Sequence, residues 1–159
     1  MRQFIAVISG ASSGIGKELS YLLAANNFHV ILLSRNINAL KKNHAHIINT
    51  GGKADFFECD VTSQEDIRKI KLKVNKIGNV DIIINNAGVG IFSKFEDINY
   101  DDWKLQLNVN LTGSFLISQT FIESMKQRKA GTIIFINSIA GKYGFPYSAA
   151  YVASKFGLR

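Results

Sequence analysis

The chain alternates short apolar runs with longer amphipathic stretches. Phe4–Ser9, His29–Ser34, Ala54–Glu58, Asp81–Asn85 and Thr132–Asn137 are near-continuous in Val, Ile, Leu and Phe. That is the pattern of strands buried on both faces. Helical stretches lie between them: Ile15–Asn26, Asn38–Thr50, Ser63–Ile77 and a long one, Asp101–Arg128. Asn38 and Ser63 are placed to cap their helices, and Gly51, Gly78 and Gly131 to end them. In the long stretch, Trp103, Leu107, Leu111, Phe115, Ile122 and Met125 recur at spacings that suit burial, with Phe121 on a second stripe. Strands alternating with helices predict an α/β protein: a parallel sheet covered on both sides, with right-handed crossovers. No repeat, low-complexity tract or linker interrupts the pattern, so residues 1–159 read as one domain. A sixth unit opens after Gly144-Phe145-Pro146, and Tyr147–Leu158 reads as a helix start. The sequence stops there, so the domain is expected to be incomplete at its C-terminus.

Composition narrows the class. The chain has 159 residues, 47% of them hydrophobic and 19% charged, which excludes disorder. Its single cysteine, Cys59, can form neither an intramolecular disulfide nor a Cys-based zinc site, which suits a reducing compartment. With no basic partner indicated, Cys59 reads as a buried strand-end residue rather than a nucleophile. His29, His44 and His46 show no metal-ligand spacing, so no metal is expected. The opening run Phe4–Ile8 is cut short by Ser9-Gly10, and no apolar run approaches the ~20 residues of a spanning helix. A soluble cytoplasmic protein without a membrane partner is expected.

The net charge of +7 raises nucleic acid as a partner. Its placement argues otherwise. In residues 66–77, Ile67, Ile70, Val74 and Ile77 share one stripe, while Arg68, Lys69, Lys71, Lys73 and Lys76 occupy the other faces. The basic residues read as a solvated helix surface, and no nucleic-acid partner is expected.

The turn after the first strand reads Ser9-Gly10-Ala11-Ser12-Ser13-Gly14-Ile15-Gly16. Gly10 can turn tightly, Gly14 lets the backbone approach a phosphate, and Gly16 lets the helix pack on the sheet. The free amides of the helix start would face a pyrophosphate. The spacing, G-x-x-x-G-x-G, also suits a plain flexible turn; its place between strand and helix favours the nucleotide site. The second strand ends in Ser34-Arg35-Asn36, with no acid to accept the ribose hydroxyls of NAD. Arg35 can instead fork onto a 2′-phosphate, which favours NADP(H), with NAD(H) as the alternative.

Further stretches follow in order: Cys59-Asp60-Val61-Thr62, Asn85-Asn86-Ala87-Gly88, Asn108-Val109-Asn110-Leu111-Thr112-Gly113, Ile136-Asn137-Ser138-Ile139-Ala140-Gly141 and Tyr151-Val152-Ala153-Ser154-Lys155. Together with the glycine-rich turn they resemble the short-chain dehydrogenases/reductases along the whole chain. Ser9 stands where Thr is usual, and Asn137 where many members have a second Ser. The resemblance implies a doubly wound Rossmann sheet in strand order 3-2-1-4-5, truncated before its last strands. It implies adenine contacts at Asp60 and Val61, further cofactor contacts at Asn86, Ala87 and Gly88, and a catalytic set of Asn110, Ser138, Tyr151 and Lys155.

Tyr151 and Lys155 are four apart and so share a helix face. A free phenol, with a pKa of about 10, exchanges protons poorly near neutrality, and a nearby ammonium favours the phenolate. Tyr151 is thus the candidate general acid for carbonyl reduction, or base for alcohol oxidation. Ser138 would orient the substrate oxygen. The resemblance implies that Asn110 holds a water linking Lys155 to solvent, and that Lys155 also binds the nicotinamide ribose. The expected partner is a small carbonyl or alcohol, a simple ketone or a 3-oxoacyl thioester. The expected state of the complete protein is a homodimer or homotetramer. A non-catalytic dinucleotide-binding sensor or interaction module is the rival reading. In the family layout two more strands follow the fifth. Without them, Thr132–Asn137 becomes an uncharged edge, and the isolated chain is expected to aggregate and to turn over poorly.

Overall fold

All five apolar runs form strands in the computed structural model, which describes residues 3–159. They are β1 (Ile5–Ser9), β2 (His29–Ser34), β3 (Lys53–Glu58), β4 (Ile82–Asn85) and β5 (Thr132–Phe135). Every pairing is parallel, and the order is β3-β2-β1-β4-β5, as expected. Asp81 stays outside β4. Its carboxylate accepts the Ile5 N–H at 3.0 Å and pairs with Arg128 at 3.1 Å.

Alternation along the central strands feeds two cores. Val7, Ile31, Leu33 and Ile83 face one side, where Ile67, Ile70, Val74, Ile117 and Phe121 cover them. Ala6, Ile8, Val30, Leu32 and Ile84 face the other, beneath Ala24, Leu40 and Ile47. Successive strand residues point to opposite faces, so a run that is apolar throughout needs helices on both sides. Those helices are α1 (Gly14–Ala25) and α2 (Ile37–Asn49) on the second face, and α3 (Gln64–Ile77) on the first. Ser63 caps α3 as expected, accepting the Asp66 N–H at 3.2 Å. The cap of α2 is Asn36, not Asn38: Asn36 Oδ1 accepts the Ala39 N–H at 3.0 Å, and Asn38 is already helical.

The long helix differs most from its expected form. It comprises α4 (Tyr100–Leu107), a π-turn over Asn108–Thr112, and α5 (Gly113–Arg128). It ends through Lys129, which takes the left-handed conformation two residues before Gly131. Of the expected apolar stripe only Met125 is buried: Phe115 and Ile122 are exposed, and Trp103, Leu107 and Leu111 are half-buried. Buried beside it are Phe121 of the second stripe and the unexpected Gln106, Val109, Asn110, Ser114, Leu116, Ile117 and Ser118. The polar members of this set are each bonded, which makes their burial tolerable. Gln106 Oε1 accepts the Ile91 N–H, the Ser114 hydroxyl donates to the Asn110 carbonyl, and Ser118 accepts from Asn85. A short helix, α6 (Ala149–Gly157), closes the described chain.

Candidate active site

The carboxyl edge of the sheet brings the loops after β1, β2, β3 and β4 together. Ser9, the last residue of β1, is buried. Its hydroxyl oxygen accepts the N–H groups of Asn86 and Ala87 at 3.0 and 3.1 Å. Asn86 Nδ2 returns bonds to the Ser9 and Gly10 carbonyls, both at 3.1 Å. The turn after β1 is thereby tied to the Asn85–Gly88 segment. Gly10 has φ 66°, and a Cβ there would run into the Asn86 side chain and the Ala87 backbone. Glycine is required at that position on both counts. Serine in place of the family's usual threonine keeps the hydroxyl that makes these bonds.

An open groove of about 260 Å³ lies over this junction. Gly10, Ser12, Ser13, Arg35, Asp60, Val61, Asn86, Ala87 and Gly88 line it, so nine expected cofactor residues converge. Ile15 lines an adjoining recess with Asn86, Gly88, Tyr151 and Lys155. Gly14 and Gly16 line neither: Gly14 opens α1, and Gly16 is buried against Gly10 and Asn86. The Ser34 hydroxyl donates to Ser12 Oγ at 2.9 Å, beside Arg35. The Ser12 and Ser13 N–H groups donate to no other group among the described residues. Burial raises the Asp60 pKa, but the N–H and hydroxyl of Thr62, at 2.8 and 2.7 Å, and the charge of Arg35 lower it further, so it falls below 3.8 overall. Cys59 is 1% exposed, and its pKa is pushed up to about 12 by burial and then by Asp66 and Asp60. It stays a protonated thiol at neutral pH, as its expected inert role requires.

The second part of the site is carried by α6 and the π-turn. Lys155 Nζ stands 5.8 Å from the Tyr151 ring centroid and donates to the Ile136 carbonyl at 2.9 Å. Lys155 is buried, and burial lowers its pKa. The Tyr151 ring meets Phe92 edge-on at 5.8 Å. Its hydroxyl has no protein partner among the described residues and is free for a ligand. Ser138 shares a recess with Tyr151, Phe92, Ile139 and Phe145. The Ser138 oxygen also accepts the Ala140 N–H at 3.1 Å, capping a short turn.

Asn110 is bonded into the fold. Its side chain is fully buried in the π-turn. Oδ1 accepts the Val89 N–H at 2.8 Å, and both amide hydrogens are committed, to the Val89 carbonyl and to Ser154 Oγ, each at 2.9 Å. Ser154 in turn donates to the Tyr151 carbonyl at 2.7 Å. The amide therefore braces the loop after β4 against α6, with both of its hydrogens committed. Ser154 went unnoticed in the sequence, although it sits inside the Tyr151–Lys155 segment. Asn43 and Tyr21, outside every motif, carried no signal at all.

Residues 4–159 match the short chain dehydrogenase family. The chain is 34% identical over 153 residues to a 3beta-hydroxysteroid dehydrogenase of Mediterraneibacter gnavus, covering 95% of this chain and 55% of that protein. It is 33% identical to a 3-oxoacyl-(acyl-carrier-protein) reductase of Synechocystis, covering 97% of this chain and 63% of that protein. Among solved structures, a metagenomic short-chain oxidoreductase in complex with NADP superposes with a TM-score of 0.94 at 34% identity, covering 98% of this chain and 71% of that one. The chain thus spans a little over half to two thirds of the length of these two curated relatives. With the family's residues gathered at the carboxyl edge of the expected sheet, the chain belongs to the short-chain dehydrogenases.

Proposed function

We propose that this chain carries the dinucleotide site and proton-transfer residues of an NADP(H)-dependent oxidoreductase that interconverts a carbonyl and a secondary alcohol. The observation that carries the reading is the position of Tyr151. Its ring lines one recess with Lys155, Asn86 and Gly88, and the neighbouring recess with Ser138. The groove fits a dinucleotide in its donors: Ser12 and Ser13 line it, and their amides have no protein partner among the described residues. These amides would hold the pyrophosphate. Arg35 would pair with the 2′-phosphate, next to the Ser12–Ser34 hydroxyl pair. Asp60 and Val61 would meet the adenine.

Bound NADP(H) supplies or accepts the hydride. The Tyr151 hydroxyl donates its proton to the carbonyl oxygen during reduction and recovers it, as phenolate, during oxidation. Lys155 favours that phenolate by its charge and binds the nicotinamide ribose hydroxyls. Ser138 hydrogen-bonds the reacting oxygen and fixes its direction. Asn110 holds the Val89 backbone and α6 in register around these groups. Phe115 and Ile122, exposed on α5, support association as a dimer or tetramer.

The test is NADPH oxidation by the full-length protein with simple ketones and 3-oxoacyl thioesters. Tyr151→Phe lowers kcat by about 10²–10⁴-fold, the usual range for a lost general acid, and leaves dinucleotide affinity unchanged. Near-parental turnover by this variant rules out Tyr151 as the acid. Tight NADPH binding with no turnover on any substrate supports the sensor reading instead.

A further inference from the structure

Two peptide groups of the glycine-rich turn are held from behind by a side chain that belongs to no motif. Asn43 lies in the middle of α2 and is 6% exposed. Its Nδ2 donates to the Ala11 carbonyl at 2.9 Å and to the Ser12 carbonyl at 3.2 Å. Its Oδ1 accepts the Tyr21 hydroxyl of α1 at 2.9 Å. The Tyr21 ring is itself held against His46 of α2, with centroids 4.3 Å apart.

The geometry of the peptide bond gives this bracket a consequence. In a trans peptide, the carbonyl and the following N–H point in opposite directions. Drawing the Ala11 and Ser12 carbonyls toward α2 therefore turns the Ser12 and Ser13 N–H groups away from it. Ser12 and Ser13 line the groove, and these two N–H groups have no protein partner among the described residues. We propose that Asn43, oriented by Tyr21, is a positioning residue for the dinucleotide: it sets two peptide planes so that their amides meet the pyrophosphate before it arrives. This rests on the dinucleotide reading of the groove. Tyr21 has a separate part in it. The two loop carbonyls, which only accept, leave the amide one useful orientation, and the Tyr21 hydroxyl anchors it there by donating to Oδ1. A flipped amide would set an oxygen against two carbonyl oxygens.

The pyrophosphate is common to NADPH and NADH, so the bracket acts on both, whereas Arg35 acts on the 2′-phosphate alone. The experiment measures the Kd of each dinucleotide by nucleotide fluorescence, together with the Ser12 and Ser13 amide proton and nitrogen shifts in the dinucleotide-free protein. Asn43→Leu keeps the volume and removes the donor. It raises both Kd values about tenfold, equivalent to about 1.4 kcal/mol, and moves both amide resonances. Tyr21→Phe removes only the hydroxyl and raises both about threefold. A lower melting temperature with parental Kd values makes Asn43 a packing residue only and overturns the proposal. Should Asn43→Leu fail to fold, Tyr21→Phe decides alone: the shared rise supports the proposal and a parental Kd overturns it. If the unmutated protein binds neither dinucleotide, the functional reading falls and takes this proposal with it. If it binds both and the variants match it, only this proposal falls.

Discussion

The two edges of the sheet are built on opposite plans. β3 carries Lys53, Asp55 and Glu58, and its aromatic side chains are covered: Lys73 lies 5.0 Å over the Phe57 ring, and His44 meets Phe56 edge-on at 5.0 Å. β5 reads Thr-Ile-Ile-Phe, with no charge, and Ile134 and Phe135 are about 40% exposed (39% and 41%). Charge on an edge strand discourages pairing with another chain, and an uncharged apolar edge invites it. The same contrast runs inward. Around β1, β2 and β3, apolar packing on both faces carries the groove, and the bonds of Ser9, Asn86 and Asn43 tie its loops. Around β5 and α6, buried polar side chains hold the groups proposed to react: Lys155 bonds to Ile136, Asn110 to Val89 and Ser154, and Ser154 to the Tyr151 carbonyl. The first half rests mostly on apolar packing, the second mostly on buried hydrogen bonds.

Substitution in the two halves separates the plans. Leu32→Ala empties a fully buried position beneath α1 and α2 and costs about 3 kcal/mol in denaturant unfolding. Ile134→Lys on the open edge costs no more than about 1 kcal/mol, and light scattering shows less association than in the parent. Equal costs at the two sites erase the contrast.

A smaller effect sharpens the polar half. Burial holds the Lys155 pKa below its ordinary 10.5. The folded state therefore releases this proton at lower pH than the unfolded state does. Folding stability rises with pH between the depressed value and 10.5, because there the unfolded chain binds more protons. Lys155→Met has no such proton. As the pH rises toward 10.5, the parent's melting temperature gains on the variant's. Parallel pH curves would mean that the Lys155 charge is not penalised by burial.

These polar fixings are also where the sequence was least legible. Strands, helices and sheet order followed from apolar runs and their spacing, because burial on two faces leaves a periodic trace. The glycine-rich turn and the Tyr151–Lys155 helix were legible because their residues lie close together in the chain. The inner face of α4 and α5 was not, since Gln106, Asn110, Ser114 and Ser118 look like solvent-facing residues until their partners are known. Large exposed side chains, Phe115 and Ile122, took their place in the expected stripe. Asp81 and Arg128 lie 47 residues apart, and Tyr21 and Asn43 lie 22 apart. Neither pair has a local signature, because a hydrogen bond across the fold leaves no periodicity in either segment.

The proposed division between a half that binds the dinucleotide and a half that transfers the proton is tested most directly by titrating the purified protein with NADPH and NADH, beside Tyr151→Phe and Arg35→Ala. The parent and Tyr151→Phe bind NADPH with the same Kd, about tenfold tighter than NADH, and Arg35→Ala loses that margin while keeping its NADH affinity. Equal affinity of the parent for both dinucleotides, or loss of NADPH binding on Tyr151→Phe, contradicts it.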